Sequence, residues 1–319
     1  MGAPDSDVGN VQDGRGVRTN NARMIDIAKA SEFMRTNARL LDRRRFELLF
    51  ADGFAHATLA ALSGYANPDG GFGYGLEPDL RSASSQPGGA LHAFEVLEDV
   101  APETSPAGVR LCDWLDSVSF DDGSLPFAFA MEDGAGSAPF WVSADPTEPS
   151  LFITSAVAGA AHRLADSDPS VAAHPWLQSV TEYCLAEIAA TTDTPFAIAF
   201  RYILQFLDAI HDKRTEAPGE LARLGAMLPE SGSVAVVGGS EGEKLTPLDI
   251  SPVPGRPLRD LLPLEAVSED LDDLAAGQRS DGGWEVDFAS YSAQARLEWR
   301  GYRTVWALSV LRANRRLEL

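Results

Sequence analysis

The chain has 319 residues, 45% of them apolar and 23% charged, which is ordinary for a globular protein and enough to bury a sizeable core. Its 47 acidic against 26 basic residues leave a formal charge of −21, so DNA, RNA and anionic membrane surfaces are repelled at long range and nucleic-acid binding is excluded as an expectation. No run approaches the ~20 apolar residues of a bilayer span. Cys112 and Cys184 lie in no C-x-x-C and beside no histidine pair, so they read as reduced, buried thiols in a cytoplasmic protein.

In chain order, residues 1–21 are polar and glycine-rich and read as a disordered leader, with residues 22–319 as one domain. From Met24 apolar residues recur at three- and four-residue spacing: Ile25, Ile27, Ala30, Phe33 and Met34, then Leu40, Leu41, Phe46 and Leu49. This predicts two helices, with Asp42-Arg43-Arg44-Arg45 as the solvated face of the second. A third helix, near Gly53 to Tyr65, runs into Asn67-Pro68-Asp69-Gly70-Gly71-Phe72. Glycine reverses the chain there, and the aspartate can bond the turn backbone. A polar loop over 73–82 precedes Ser84-Ser85-Gln86-Pro87, where a serine cap and a first-turn proline predict a helix start.

Helices follow over Val109 to Val118, closed by Asp121-Asp122-Gly123, and over the alanine-rich Ser150 to Leu164, buried on most sides. Two more cover Pro175 to Ala190 and Pro195 to Ile210. Leu125-Pro126-Phe127 and Thr194-Pro195-Phe196 read as one lead-in segment used twice. Residues 231–263, rich in glycine and proline, read as an ordered excursion or lid. Within it Val234 to Gly238 can form only a lone strand. The turn motif returns as Gln278-Arg279-Ser280-Asp281-Gly282-Gly283-Trp284, and a final helix follows. In all, ten or eleven helices are expected. The turn aspartates Asp69, Asp122, Asp193 and Asp281 are unevenly spaced, as hairpins with unequal loops would place them.

Gln278-x-x-Asp281-Gly282-Gly283-Trp284 resembles the Gln-Trp repeat of squalene and terpene cyclases. Pro68-Asp69-Gly70-Gly71-Phe72-Gly73 followed by Pro78-x-Leu80 resembles the protein prenyltransferase β subunit. Both belong to the α/α-toroid superfamily. The resemblance implies an all-α toroid of about five to six hairpins, outer and inner helices alternating around a central cavity. It covers Tyr65 to Leu97 and Leu271 to Leu311; the middle follows by pattern alone.

The family's chemistry does not transfer directly. The prenyltransferase zinc set of Asp, Cys and His has no counterpart, the five histidines being scattered singly, and no metal site is expected. Asp270-Leu271-Asp272-Asp273 fits the cyclase acid string, yet it sits ten residues from the turn, where acids in the first turn of an outer helix are explained by the helix dipole. The toroid frame instead puts the loop after the first turn at the cavity mouth. Glu77 and Asp79 become candidate acid and base there, with Arg81 and Gln86 as substrate contacts. Asp249, in the proline-bounded Leu245 to Pro252 lid, is a third catalytic candidate. Trp141, Arg300 and Tyr302 are further substrate-contact candidates, the arginine for a diphosphate, which would bring Mg2+ with it.

The leading expectation is therefore a prenyltransferase- or terpene-cyclase-like protein holding an isoprenoid or other apolar ligand in the central cavity. One alternative is a carbohydrate-active (α/α)-barrel hydrolase using paired carboxylates. Another is a non-catalytic binding protein on the same scaffold. Oligomeric state is not readable from the chain.

Overall fold

The computed structural model describes residues 25–318; the expected leader over 1–21 lies outside them. The described residues are predominantly helical. Eleven helices of eight residues or more are α1 (Ile27–Asn37), α2 (Leu40–Phe50), α3 (Ala55–Leu62), α4 (Pro87–Asp99), α5 (Pro106–Val118), α7 (Leu151–Ala165), α9 (Pro175–Ala190), α10 (Ala197–Ala209), α11 (Ala217–Gly225), α13 (Leu264–Ala276) and α14 (Ala293–Ala313). Single-turn helices α6 (Pro139–Val142), α8 (Pro169–Ala172) and α12 (Pro247–Ile250) stand between them. None of the described helices is long and apolar enough to cross a membrane.

Helix starts follow local chemistry. Proline stands in the first turn of α4, α5, α8 and α9, where its missing N–H costs nothing. Asp26, Ser105, Asp168 and Ser292 accept a backbone N–H as caps of α1, α5, α8 and α14. The expected serine cap of α4 is replaced. Gln86 holds the cap position without a side-chain bond, because Ser85 is turned toward Asp69 (2.8 Å).

Three turns share one construction. Asp69, Asp122 and Asp281 each accept from the N–H two residues on, at 2.9, 2.9 and 3.1 Å. The intervening Gly70, Gly123 and Gly282 take φ of 96°, 86° and 95°, a region other residues avoid. Asp193 does not repeat this bond. Each turn then lies against a helix later or earlier in the chain: Gly70 on Arg110 of α5, Gly123 on Ser179 of α9, and Gly282 on Lys29 of α1. The last contact joins the two ends of the described chain. Gln278 reinforces it, accepting from Asp26 N (2.8 Å) and donating to the carbonyls of Asp26 (2.9 Å) and Gly282 (3.0 Å).

Five of the helices pack in succession. α7 lies between α4 and α10, α4 also meets α2, and α2 meets α14. Alanine-rich α7 is buried on most of its surface, and Gly159 lets it approach the backbone of α10 at Phe206. α3, α5, α9 and α11 each pack on one of these central helices, or on one another.

Three expectations are corrected. Val234–Ala235 is paired, antiparallel to Lys244–Leu245, so the excursion contains a two-stranded hairpin (β1, β2) and not a lone strand. Asp270 to Asp273 lie in the second half of α13, which begins at Leu264, so the dipole of a first turn does not account for them. Asp270 instead accepts from Leu248 N of α12 (2.8 Å), and Asp272 pairs with Arg316 (3.2 Å). Asp42 and Arg45 are buried, not solvated: Asp42 pairs with Arg39 (2.6 Å) and Arg45 with Asp99 of α4 (2.6 Å).

A Cβ at residue 282 would both force positive φ on alanine and collide with the Lys29 carbonyl. Gly282→Ala is therefore expected to cost about 2–4 kcal/mol in urea denaturation. Gly64→Ala, on a glycine that meets nothing within 4 Å, is the matched control and should change little.

Candidate functional site

The loop after the first turn is an anchor. Asp79 accepts from the backbone N of Tyr291 (3.0 Å) and from Trp299 Nε1 (2.7 Å), so both carboxylate oxygens are bound. Its carbonyl accepts from Ala138 N (2.8 Å). Arg81 pairs with Glu298 of α14 (2.7 Å). Gln86 accepts from Phe129 N (2.8 Å) and donates to Phe129 O (3.3 Å). The loop thereby ties the 126–142 segment and α14 to the start of α4.

Glu77 differs from its neighbours. It is buried, and its Oε2 has no hydrogen-bond partner. The gap beside it, lined by Phe72, Leu76, Leu80, Gln86 and Gly89, is too small for a water molecule. Burial first, and then the charge of Asp79, push its carboxyl up to about 8. Glu77 is thus a neutral acid in a dry site at pH 7.

The remaining candidates divide. Asp249 is the third residue of a capping box on α12, bound to Thr246 N (3.0 Å) and Thr246 Oγ1 (2.9 Å), and it pairs with Arg303 (3.0 Å). Burial works against its charge, but Arg303 and the Thr246 N–H prevail and hold its pKa below the usual value. Arg300 grips Asp281 of the last turn with Nη2 (2.9 and 3.0 Å) and lies over Phe33 (4.5 Å), so it serves the closure of the chain ends. Trp141 stacks on Phe127 (4.3 Å, 9°), its buried Nε1 without an acceptor.

Tyr302 leads to an array that the sequence reading missed. Its hydroxyl donates to Glu95 of α4 (3.1 and 3.2 Å), which also binds His92 Nδ1 (2.8 Å). His92 meets Tyr302 and Trp299 edge-on, at 5.3 and 5.8 Å. Arg45 of α2 lies 5.5 Å from the Tyr302 ring, and Arg163 of α7 pairs with Glu98 (3.0 Å). Arg201 lies over the ring of Tyr202, both on α10 (4.3 Å). Glu95, Arg45, Tyr202 and Arg201 all act electrostatically on Tyr302, so one cluster joins α2, α4, α10 and α14.

Burial raises the Glu95 carboxyl, but His92, Arg45 and Arg163 outweigh it and bring it down to about 2. An ionised Glu95 can only accept, so His92 gives it the Nδ1 proton and, when neutral, keeps Nε2 as a lone pair. That is the arrangement of an oriented general base.

Aromatic rings extend from this array. Tyr202 faces Phe152 (5.8 Å), Phe152 meets Phe127 (5.2 Å), and Phe127 stacks on Trp141. Phe140, Phe196 and Tyr291 branch from the chain of rings and stay nearly half exposed. The two lead-in segments noted in the sequence supply Phe127 and Phe196, both of which meet Phe152. The missed residues carried a weak signal: His92, Glu95 and Arg201 interrupt apolar stretches of α4 and α10, and His92 and Glu95 share a face at i, i+3.

Among the described residues no group of three or more His, Cys, Asp or Glu is arranged to hold a metal. No protein-family model matches the chain, and no curated protein shows significant similarity to it.

Because Glu77 binds its proton more tightly folded than unfolded, its stabilising contribution is complete in acid and is lost as pH rises toward about 8. Wild-type stability should fall between pH 6 and pH 8.5 relative to Glu77→Gln, which stays neutral, by about 2–4 kcal/mol. Parallel urea titrations at the two pH values read this directly; equal pH slopes would mean that Glu77 ionises normally.

Proposed function

We propose that the helices form an α/α toroid whose central site binds, and transfers a proton from, a ligand with an unsaturated or ringed body and a polar group. Support for the ring comes from the turns, each resting on a different outer helix and the last resting on α1. The succession of α14, α2, α4, α7 and α10 would form its inner wall. The resemblance to terpene cyclases and prenyltransferases points to an isoprenoid body.

The observation that carries the reading is the His92–Glu95–Tyr302 array at the end of the aromatic chain. Aromatic faces suit an isoprenoid chain and attract cationic character developing on it. A pure hydrocarbon, however, has no use for buried Arg45 or for half-buried Glu95, Arg163 and Arg201, whose desolvation costs free energy that a helical core does not need to spend. The ligand is therefore amphipathic. Proton transfer runs from the ligand to His92 Nε2, with Glu95 holding the ring and stabilising the imidazolium that results.

The hydrolase alternative requires one protonated and one ionised carboxyl. Glu77 is protonated, but the gap beside it is too small for a water molecule and its neighbour Asp79 is bound through both oxygens, while Glu95 and Asp249 are both held ionised by neighbouring cations, which favours the proton-transfer reading over it.

Purified protein should be incubated with prenyl alcohols and acids, prenyl diphosphates with and without Mg2+, a squalene-type polyene and neutral oligosaccharides. Thermal stabilisation and product formation are the readouts. Stabilisation by amphipathic isoprenoids, with turnover reduced about 10²–10⁴-fold in His92→Gln while binding is kept, is expected. Stabilisation by oligosaccharides alone would overturn the isoprenoid assignment.

A further inference from the structure

Glu77 is a carboxyl with no room for water and no cation of its own. It is 7% exposed, its Oε2 has no hydrogen-bond partner, and the gap beside it is dry. The charged groups that act on it are already engaged. On its own loop, Asp79 is bound by Tyr291 N and Trp299 Nε1, and Arg81 pairs with Glu298 of α14 (2.7 Å). From the start of α2, Arg39 pairs with Asp42 (2.6 Å), lies over Tyr65 (5.6 Å) and binds the carbonyls of Gly75 and Leu76 (3.1 and 2.8 Å). The start of α4 brings only neutral residues to the gap, Gln86 and Gly89. Arg39, Arg81 and the Asp79 N–H favour the charged form of Glu77, yet burial and the Asp79 carboxylate outweigh them.

A neutral carboxyl tolerates a dry gap, and a carboxylate does not. The change from one to the other falls at about pH 8. Below that pH the proton is kept and the loop over residues 73–82 stays seated. Above it the proton passes to solvent, and the charge left behind reaches water only if the loop moves. Tyr74 and Gly75, at φ of 52° and 73°, mark the near end of that loop, and the far end is held by two bonds, Arg81 N to Ser137 Oγ (2.7 Å) and Ala138 N to Asp79 O (2.8 Å). Asp79 stands two residues from Glu77 and grips Trp299 (2.7 Å), whose ring meets His92 at 5.8 Å and Tyr302 at 5.5 Å. A displacement at Glu77 therefore reaches His92 through Asp79 and Trp299.

Resting on the central ligand site proposed above, we infer that Glu77 is a proton-operated latch on that site: protonated, it keeps the loop seated and Trp299 against His92, and ionised, it lifts the loop and the site loses its ligand. Asp79 belongs to the latch twice, as the charge that keeps the proton on Glu77 and as the link that carries the movement to Trp299. The pair of acids in this loop then serves regulation by alkaline pH, with no part in the chemistry of the site.

The test uses the full chain labelled with 5-fluorotryptophan, the Trp299 fluorine resonance being identified by Trp299→Phe. Between pH 6 and pH 9.5 that resonance should shift in the folded wild type with a midpoint near 8, and it should stay in place in Glu77→Gln and Glu77→Met. Geraniol, whose charge does not change over this range, is then titrated calorimetrically at both ends of it. Its affinity for wild type should fall about tenfold or more at pH 9.5, as the seated fraction falls, and remain unchanged in the two variants. A Trp299 resonance that does not titrate in wild type, or that titrates equally in both variants, overturns the latch and leaves the central site standing where geraniol binds. A wild-type affinity that is the same at both pH values also overturns it. Absence of geraniol binding at either pH overturns the central site, and the fluorine titration then decides by itself whether Glu77 moves the loop.

Discussion

The contact of Gly282 and Gly283 with α1 is the constraint on which the arrangement depends. The backbone of the last turn lies so near Lys29 and Phe33 that a side chain at either glycine would meet them, Phe33 ring carbons standing 2.8 Å from a Cβ at 283. Gln278 fills the hydrogen-bonding capacity of Asp26 on one side of this contact, and Arg300 covers Phe33 on the other. With the ends joined in this way, α14 is fixed against α2. The same placement carries Tyr302 and Trp299 to His92 and Glu95 on α4, more than two hundred residues away in sequence. The array is a consequence of closure.

This explains which parts of the protein the sequence discloses. The three turns are local: an aspartate, a glycine at positive φ and an N–H two residues on are all within one short motif, and the expected reversals at Asp69, Asp122 and Asp281 are found. Helix boundaries set by proline or by apolar periodicity are local as well, and α9 occupies the expected Pro175–Ala190. The buried charges are not local. Asp42 and Arg45 have the spacing of an exposed face, and only the position of Asp99 on another helix turns them inward. Likewise Asp270 to Asp273 look like a helix start until Leu264 is seen to begin α13 six residues earlier, Pro263 being a sufficient signal in retrospect.

The candidates read from the loops share a reason for having been noticed and for being occupied. Acids and arginines in a proline-bounded loop stand out against apolar helices. Such loops also have backbone N–H groups and neighbouring segments that must be bound, and ionised side chains do this well. Asp79 holds Tyr291 and Trp299, Asp249 closes a capping box, Arg81 holds Glu298 and Arg300 holds Asp281. Each is engaged by the protein itself.

Saturation separates what the fold requires from what it leaves over. Of the buried polar side-chain atoms without a hydrogen bond, Arg300 Nε has Glu285 at 3.2 Å and Asp42 Oδ1 has Arg45 at 3.9 Å, so charge compensates both. Glu77 compensates itself by keeping its proton. Ser290 Oγ and Trp141 Nε1 have no such relief, while half-buried Arg201 has Tyr202 and Asp249 acting in favour of its charge. A serine hydroxyl is a small cost and an indole N–H a moderate one, whereas a guanidinium, which cannot shed its charge, has to be met by the groups around it. Around Tyr302 that balance is internal: the acids Asp42, Glu95, Glu98, Asp99 and Asp249 stand against Arg39, Arg45, Arg163, Arg201 and Arg303, so the array is held by charges the chain itself supplies.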